Sequence, residues 1–211
     1  IYLFQKQSIA SLLGFLQSKP LNLFYFLTCY FIGNHKSVIM RNVEIKAHVR
    51  NVDLICKLAE KLSGGPATII KQDDTFYKVE NGRLKMRFYA DSSATLVRYD
   101  RSDEKGPKMS NYDLLNFNVD EAQKALDFFV IKLMLNTVKL ICRKLFMVGQ
   151  TRIHIDTVQD LGDFMELEVV LSPDQSLEEG QEIAKDLQHK LNVADSDLID
   201  CAYMDMLNQK K

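Results

Sequence analysis

Cysteine is scarce in this sequence, and its four copies are scattered. Cys29, Cys56, Cys142 and Cys201 include no Cys-x-x-Cys spacing. Paired spacing is typical of zinc sites, and dense cysteine is typical of the disulfide frameworks of small secreted domains. The pattern therefore argues against both and predicts a protein of the reducing cytoplasm.

Net charge is also nearly absent. The 211 residues contain 27 Lys and Arg against 28 Asp and Glu, which gives a net charge of -1. Proteins held to nucleic acid or to membrane surfaces by general electrostatic attraction carry a basic excess. We therefore predict no nucleic-acid partner and no membrane partner, and any anion site must come from a local cluster of basic side chains.

The sequence has no apolar run that is clearly long enough to span a bilayer. The stretch 21–33 is apolar, but Asn22 interrupts it and it falls short of the roughly 20 residues required. An alternative is the apolar core of a secretory signal, yet no convincing small-residue cleavage site follows it. We interpret residues 1–39 as an apolar N-terminal extension outside the fold. Residues 40–211 then form a single domain that begins at Met40.

The most informative stretch is 150–171, which reads as two strands joined by a glycine-containing turn. Arg152, His154 and Asp156 alternate with apolar residues in the first strand, as Glu166 and Glu168 do in the second. Strand side chains alternate between two faces, so one face of this hairpin is charged and the other apolar. The carboxylates can converge on a divalent cation, which prefers oxygen ligands. The alternative is an ordinary hairpin whose charged face is solvated.

Other predicted strands repeat this division into a charged and an apolar face. They are 42–49, 83–89 and 95–101. Further strands are predicted at 67–71, at 76–80 and from 143 to 148, and 102–110 reads as a loop. Amphipathic helices are predicted at 51–62 with Asn51 as the N-cap, at 119–133, after Ser176 and at 197–208. Helices of this kind need an apolar sheet face to cover, so the charged faces should point away from them, into the interior of a barrel.

Such an interior would carry an excess of positive charge. The predicted interior bases are Lys46, Arg83, Lys85, Arg87, Arg98, Arg143 and Arg152, and the predicted interior acids are Glu44, Asp156, Glu166 and Glu168. Seven bases and four acids leave a charge of +3 before any metal is counted. This suits a polyphosphate with bound Mg²⁺, since neither kind of charge is stable when buried without the other.

These residues carry a resemblance to a known family. Residues 42–46 (NVEIK) are similar to an N-terminal E-x-E-x-K motif. The segments 72–77, 82–87, 148–156 and 164–168 match further motifs in order. From Met40 to about residue 207 the chain resembles the CYTH superfamily of triphosphate tunnel metalloenzymes, which includes class IV adenylyl cyclases and thiamine triphosphatases. The segments VGQTRIHID and LGDFMELEV are most similar to the cyclase-like branch.

The resemblance implies an α+β fold with an antiparallel eight-stranded closed barrel, a polar lumen and helices packed outside. It implies Mg²⁺ or Mn²⁺ as cofactor and a small-molecule triphosphate as substrate, in a monomer or homodimer. The implied metal ligands are Glu44, Asp156, Glu166 and Glu168. The implied triphosphate ligands are Lys46, Arg83, Lys85, Arg87, Arg98, Arg143 and Arg152, of which Lys46, Arg87 and Arg152 are the predicted catalytic groups.

Two departures from the family pattern bear on function. Asn42 replaces the first motif glutamate, and an amide supplies neither negative charge nor a base. Residues 140–142 are Leu-Ile-Cys where related chains carry a denser basic cluster. Hydrolysis of a nucleotide, thiamine or inorganic triphosphate is the first hypothesis. The alternatives are an adenylyl cyclase that makes cyclic AMP and pyrophosphate, and a polyphosphate-binding protein without turnover.

Overall fold

The computed structural model describes residues 40–77, 79, 81–121 and 134–210. The extension predicted at 1–39 lies outside these residues. The helix predicted at 119–133 is described only over its first turn, 119–121, where the Asn118 side chain accepts a hydrogen bond from the Glu121 amide at 3.0 Å, as an N-cap should. Within the described part of the chain, no helix is long and apolar enough to cross a membrane.

Long strands and three named helices make up this part of the chain. The strands are β1 (Met40–His48), β2 (Thr68–Ile70), β3 (Gln72–Tyr77), β4 (Arg83–Tyr89), β5 (Ala94–Arg101), β6 (Lys108–Phe117), β7 (Met134–Val148), β8 (Thr151–Val158) and β9 (Gly162–Val170). The helices are α1 (Val52–Ser63), α2 (Leu177–Lys190) and α3 (Tyr203–Gln209), with a short 3-10 turn at Asp195–Asp197 before α3.

All strands belong to one antiparallel sheet, which confirms the predicted α+β class. The order is β2-β7-β3-β4-β5-β6-β1-β9-β8, and β7 also pairs with β8. The predicted closed barrel of eight strands is not confirmed, because the sheet formed by the described residues contains nine strands. The ninth strand arises because Lys71 interrupts strand structure. The strands on either side of it, β2 and β3, are therefore separate, and both pair with β7.

Helices α1 and α2 cover the apolar face of the sheet, as the alternation predicted. Val43, Ile45 and Ala47 of β1 are fully buried and pack in one core cluster with Ala59 of α1 and Ala184 of α2. Asn51 caps α1 by accepting from the Leu54 amide, and Ser176 and Glu179 form the predicted capping box of α2. Burial of this face orients the polar side chains of the same strands away from the helices.

Four elements differ in extent from the sequence prediction. Strand β3 spans Gln72–Tyr77 where 76–80 was predicted, and β7 begins at Met134 where the predicted strand began at 143. The predicted loop at 102–110 ends early, because Lys108–Phe117 forms β6 between β5 and β1. The last helix starts at Tyr203 rather than at 197. The Ile199 amide donates to the Lys46 carbonyl at 2.8 Å, and Leu198 bridges to Ala47, so this segment extends along β1 before the helix begins.

Helix α2 contains one glycine that we expect to be required for its packing. A Cβ at Gly180 would lie 2.6 Å from Leu171 Cδ2 and 2.7 Å from Val43 Cγ2. Gly180→Ala should therefore destabilise the protein by about 1–3 kcal/mol through overpacking. In an exposed helix the same change should stabilise by about 1 kcal/mol. Urea denaturation measures the sign, and a more stable variant would contradict the close helix–sheet contact.

Candidate active site

The polar face of the sheet lines a cavity of about 300 Å³. Eight of the nine described strands, all except β2, contribute charged or ionisable residues to it, and so does α3. Its charged and ionisable lining residues are Glu44, Lys46, Asp74, Lys85, Arg87, Tyr99, Arg101, Tyr112, Arg143, Arg152, His154, Glu166, Glu168 and Tyr203. This concentration of charge on the face opposite the helices is the feature that the strand alternation predicted.

One wall of the cavity, formed by β1 and β9, carries the glutamates. Glu44 pairs in register with Glu168, and Lys46 pairs with Glu166. The Lys46 ammonium lies 3.1 Å from a Glu166 carboxylate oxygen. Burial alone would raise the pKa of Glu166, but Lys46 and Arg143 outweigh burial and hold this pKa well below its usual value. Glu166 is therefore an ionised carboxylate inside the cavity.

Glu44 is electrostatically different from Glu166. Burial and the neighbouring carboxylate of Glu166 raise the pKa of Glu44, although an ion pair with Arg101 opposes this effect. Two positions away, Asn42 Oδ1 is buried and accepts no hydrogen bond from any residue that the structure describes. Both observations identify a place on this wall where negative charge and oxygen acceptors exceed the available positive partners.

The opposite wall carries a lysine and an arginine held by one aspartate. The Lys85 ammonium donates to Asp74 Oδ2 at 2.6 Å. Arg87 donates to the two oxygens of Asp74 through Nε at 2.8 Å and Nη2 at 3.0 Å. Burial opposes ionisation of Asp74, but Arg87 and Lys85 prevail and hold its pKa below its ordinary value. Asp74 is only 4% exposed, so it is an ionised carboxylate beneath the two cations.

Arg143 is held by a second aspartate on the neighbouring strand β8. Its Nε and Nη2 donate to Asp156 at 2.7 and 2.6 Å, and Nη2 also donates to Glu166 at 3.0 Å. Burial lowers the pKa of Arg143, but the two carboxylates outweigh burial and raise it well above its usual value. The Tyr203 hydroxyl donates to Asp156 Oδ2 at 2.9 Å, which completes a buried network.

Arg152 and His154 occupy the remaining polar positions of β8 in the cavity. Arg152 Nε donates to Glu168 Oε2 at 2.7 Å, and its Nη2 donates to the Tyr112 hydroxyl at 3.3 Å. His154 Nε2 lies 3.7 Å from the same Glu168 oxygen. Burial raises the pKa of Glu168, but His154 and Arg152 oppose it and lower the pKa overall. The hairpin thus places both of its basic side chains against one glutamate.

The structure brings most of the predicted site residues together. Those that line the cavity are Lys46, Lys85, Arg87, Arg143, Arg152, Glu44, Glu166 and Glu168. Arg83, Arg98 and Asp156 do not line it. Arg83 instead forms ion pairs with Asp103 and Asp205, at 2.7 and 3.3 Å. Asp156 is fully buried behind Arg143, so its carboxylate is not accessible from the cavity.

The predicted interior position of Arg98 is wrong. Its side chain is exposed, and it pairs across the strands with Leu84, on the face opposite Lys85 and Arg87. Tyr99 and Arg101 of the same strand line the cavity instead. Period-two counting places Tyr99 and Arg101 on one face and Arg98 on the other, so the alternation was correct and the choice of face was not.

Asp74, Arg101 and Tyr203 are cavity residues that the sequence analysis missed as site residues. Asp74 lies outside the predicted strand 76–80, whereas the strand in fact begins at Gln72. Arg101 could have been found by the period-two alternation, because it lies on the same face of β5 as Tyr99. For Tyr203 no local pattern existed, since its ring lies 3.9 Å from the Lys46 ammonium only after the chain has folded back along β1.

The donor set bears on the metal that the fold family implies. Within the described residues, no three His, Cys, Asp or Glu side chains are already gathered into a metal cluster. Glu44 and Glu168 nevertheless face each other across β1 and β9, and Asn42 Oδ1 is an unpaired acceptor on the same wall. These are hard oxygen donors of the kind that Mg²⁺ and Mn²⁺ prefer, so the wall fits such an ion in chemistry.

Comparison with known proteins agrees with the fold. The sequence model of the CYTH domain family matches residues 40–203. The PH1012 protein of Pyrococcus horikoshii OT3 is 22% identical with a TM-score of 0.65, and the match covers 78% of this chain and 98% of that chain. A conserved hypothetical protein of Pyrococcus furiosus is 18% identical with a TM-score of 0.65, over 78% of this chain and 98% of that chain.

A candidate adenylate cyclase of Vibrio parahaemolyticus is 19% identical with a TM-score of 0.62, over 79% of this chain and 97% of that chain. No curated protein matches in sequence. At these identities the solved structures establish a shared fold only. The family match spans most of the chain and contains every charged cavity residue described above, so the chain belongs to the CYTH domain family.

Proposed function

We propose that this protein is a metal-dependent enzyme that hydrolyses a phosphoanhydride bond of a small triphosphate. The observation that carries this proposal is the charge composition of the cavity. Six cationic side chains and four carboxylates line about 300 Å³, which leaves two positive charges in excess: Lys46, Lys85, Arg87, Arg101, Arg143 and Arg152 against Glu44, Asp74, Glu166 and Glu168. A triphosphate supplies several negative charges that can take up this excess.

The proposed cavity is a tunnel through a closed barrel. The pairing of β7 with both β3 and β8 supports closure, because the path from β3 through β4, β5, β6, β1, β9 and β8 returns to β7. In a barrel one face of every strand points inward. The phosphate chain would then lie along the inner face, where Lys85 and Arg87 on one wall oppose Lys46 and Arg152 on the other.

The proposed metal ligands are Glu44 and Glu168, with Glu166 and the Asn42 oxygen as further donors. The raised pKa of Glu44, caused by burial and the Glu166 charge, supports this assignment, because a cation would relieve the same repulsion. When bound, Mg²⁺ or Mn²⁺ would neutralise charge on the phosphate oxygens. Asp156 is left out of the proposed set because it is fully buried against Arg143.

The chain's own residues contribute positioning and electrostatic stabilisation. Charge spreads over the transferred phosphoryl oxygens as the bond to the leaving phosphate breaks. Lys46, Arg87 and Arg152 are the proposed catalytic groups, since each projects into the cavity and offers cationic N–H donors to those oxygens. The pairing of each with a carboxylate holds its donors in place before the substrate arrives. We further propose a cytoplasmic location, consistent with free thiols at Cys56, Cys142 and Cys201.

Phosphorus NMR distinguishes the proposed hydrolysis from its alternatives. Purified protein would be mixed with Mg²⁺ or Mn²⁺ and, in separate samples, with inorganic triphosphate, thiamine triphosphate and ATP. We expect orthophosphate to appear, and we expect chelation of the metal by EDTA to stop its appearance. Pyrophosphate together with a cyclic nucleotide would instead identify a cyclase. Binding of a triphosphate without turnover would identify a polyphosphate-binding protein, which the Asn42 substitution favours.

A further inference from the structure

Asp74 is a negative charge in the wall of a site proposed to bind anions. We propose that Asp74 is a positioning residue that holds Lys85 and Arg87 in the geometry that binds the phosphate chain, an inference that rests on the proposed function. Its carboxylate accepts hydrogen bonds from Lys85 Nζ at 2.6 Å and from Arg87 Nε and Nη2 at 2.8 and 3.0 Å. A third side chain also donates to Asp74, because Gln72 Nε2 lies 3.3 Å from Oδ1.

These contacts consume only part of the donor capacity of the two cations. Lys85 has three N–H donors and uses one on Asp74, and Arg87 has five and uses Nε and Nη2. The Nη1 edge of Arg87 and two protons of Lys85 are not used by Asp74. Both side chains line the cavity, so an aspartate beneath them fixes one edge of each and leaves the other donors for a ligand.

The same arrangement occurs a second time in the cavity wall. Arg143 uses its Nε and Nη2 on the fully buried Asp156, as Arg87 uses its own on Asp74. A fork-to-fork pair of this kind fixes the plane of the guanidinium as well as its charge. Two arginines on separate strands are thus held by the same device, which indicates a role in orientation for the aspartates.

Asp74 also acts on the protonation of Lys85. Burial lowers the pKa of Lys85. The charge of Arg87 lowers this pKa further, whereas Asp74 raises it. The other charged or titratable groups that face Lys85 are Arg143, Tyr99 and Glu166. Without the Asp74 charge the pKa of Lys85 falls, so the ammonium loses its proton at a lower pH. Asp74 therefore keeps a phosphate-binding cation charged as well as oriented.

Asp74→Asn separates this proposal from simple electrostatics. Removal of a negative charge from an anion site should strengthen anion binding if charge alone matters. We expect the opposite result: about tenfold or weaker affinity for inorganic triphosphate at about pH 7, the loss of roughly one charge-assisted contact. Isothermal titration calorimetry without divalent cations measures it. The loss should grow toward about pH 9, as Lys85 in the variant loses its proton first.

Asp73→Asn is the matched control, because Asp73 is the neighbouring residue on the same strand and its side chain is exposed. It removes the same charge and should leave the affinity within about twofold, as expected for a solvated charge. If Asp74→Asn does not fold, Asp74→Glu supplies the test, because it keeps the charge and displaces the carboxylate by one methylene. Affinity for inorganic triphosphate should fall if the position of the carboxylate matters, and it should stay unchanged if only its charge matters.

Equal or tighter binding by Asp74→Asn would overturn the positioning role. A loss of affinity by the same factor at every pH would also overturn it, because a merely structural defect does not act through Lys85. Failure of the proposed function would look different: the wild-type protein itself would show no heat with inorganic triphosphate, whatever the variants do. The same titration therefore distinguishes the two failures.

Discussion

Asp156→Asn should destabilise the fold by about 3–5 kcal/mol, the usual cost of breaking a buried ion pair. The aspartate accepts both Arg143 donors and the Tyr203 hydroxyl, and it is fully buried. An asparagine has one acceptor oxygen and no charge, so the Arg143 guanidinium would keep only the shared contact with Glu166 as an ionic partner. The free energy of unfolding, measured by urea denaturation, gives the size of the effect.

Asp160→Asn is the control for this measurement. Asp160 lies exposed in the turn between β8 and β9 with a positive φ of 65°, a conformation that Asn adopts as readily as Asp. The control should change the free energy of unfolding by less than about 0.5 kcal/mol. If Asp156→Asn were as stable as wild type and lost only its response to Mg²⁺, Asp156 would be a metal ligand, as the sequence resemblance implied.

Arg87→Gln should have the largest effect on substrate handling. Arg87 is partly buried against the buried Asp74 and projects into the cavity, so its loss removes a charge-assisted contact in a partly desolvated site. Such contacts cost about 2–5 kcal/mol when one partner is removed, which corresponds to roughly 30-fold or more in affinity for a triphosphate. Calorimetry with inorganic triphosphate measures the affinity, and kcat/KM for the substrate found by phosphorus NMR measures the consequence for turnover.

Arg98→Gln is the matched control, because it removes the same charge from the neighbouring strand on the opposite face. We expect its triphosphate affinity to stay within about twofold of wild type. Arg87→Gln should lose much less affinity for orthophosphate, since a single phosphate group need not contact this part of the wall. Equal losses for both ligands, or equal effects of the two arginines, would contradict the assignment of Arg87.

The alternation of polar and apolar residues predicted the apolar face and most of the site. It succeeded in β1, β8 and β9 because burial against α1 and α2 enforces one register there, and a slip of one residue would expose Val43 and Ile45. It failed in β5, where Leu96 and Val97 are both buried and apolar character alone does not distinguish the two faces. The sequence analysis therefore placed Arg98 in the interior, where the structure has Arg101.

Depth beneath the cavity surface was a second quantity that the sequence did not supply. Asp156 and Glu166 are both acidic residues on the same face of one hairpin, yet the first lies behind Arg143 and the second lines the cavity. Which carboxylate reaches the open space depends on the arginine that covers it. That arginine comes from β7, so a pattern read within the hairpin contains no information about it.

The position of β1 in the sheet has a consequence for how the protein is made. β1 lies between β6 and β9, so both of its partner strands are synthesised after it. Glu44 cannot pair with Glu168 until β9 has been synthesised. At about 5–20 residues per second, ribosomal synthesis separates the two by on the order of ten seconds. During that interval Val43, Ile45 and Ala47 have neither their β9 neighbours nor the cover of α2. A nascent chain that stops before β9 would therefore present an unpaired strand edge and an apolar surface, the combination most prone to aggregate.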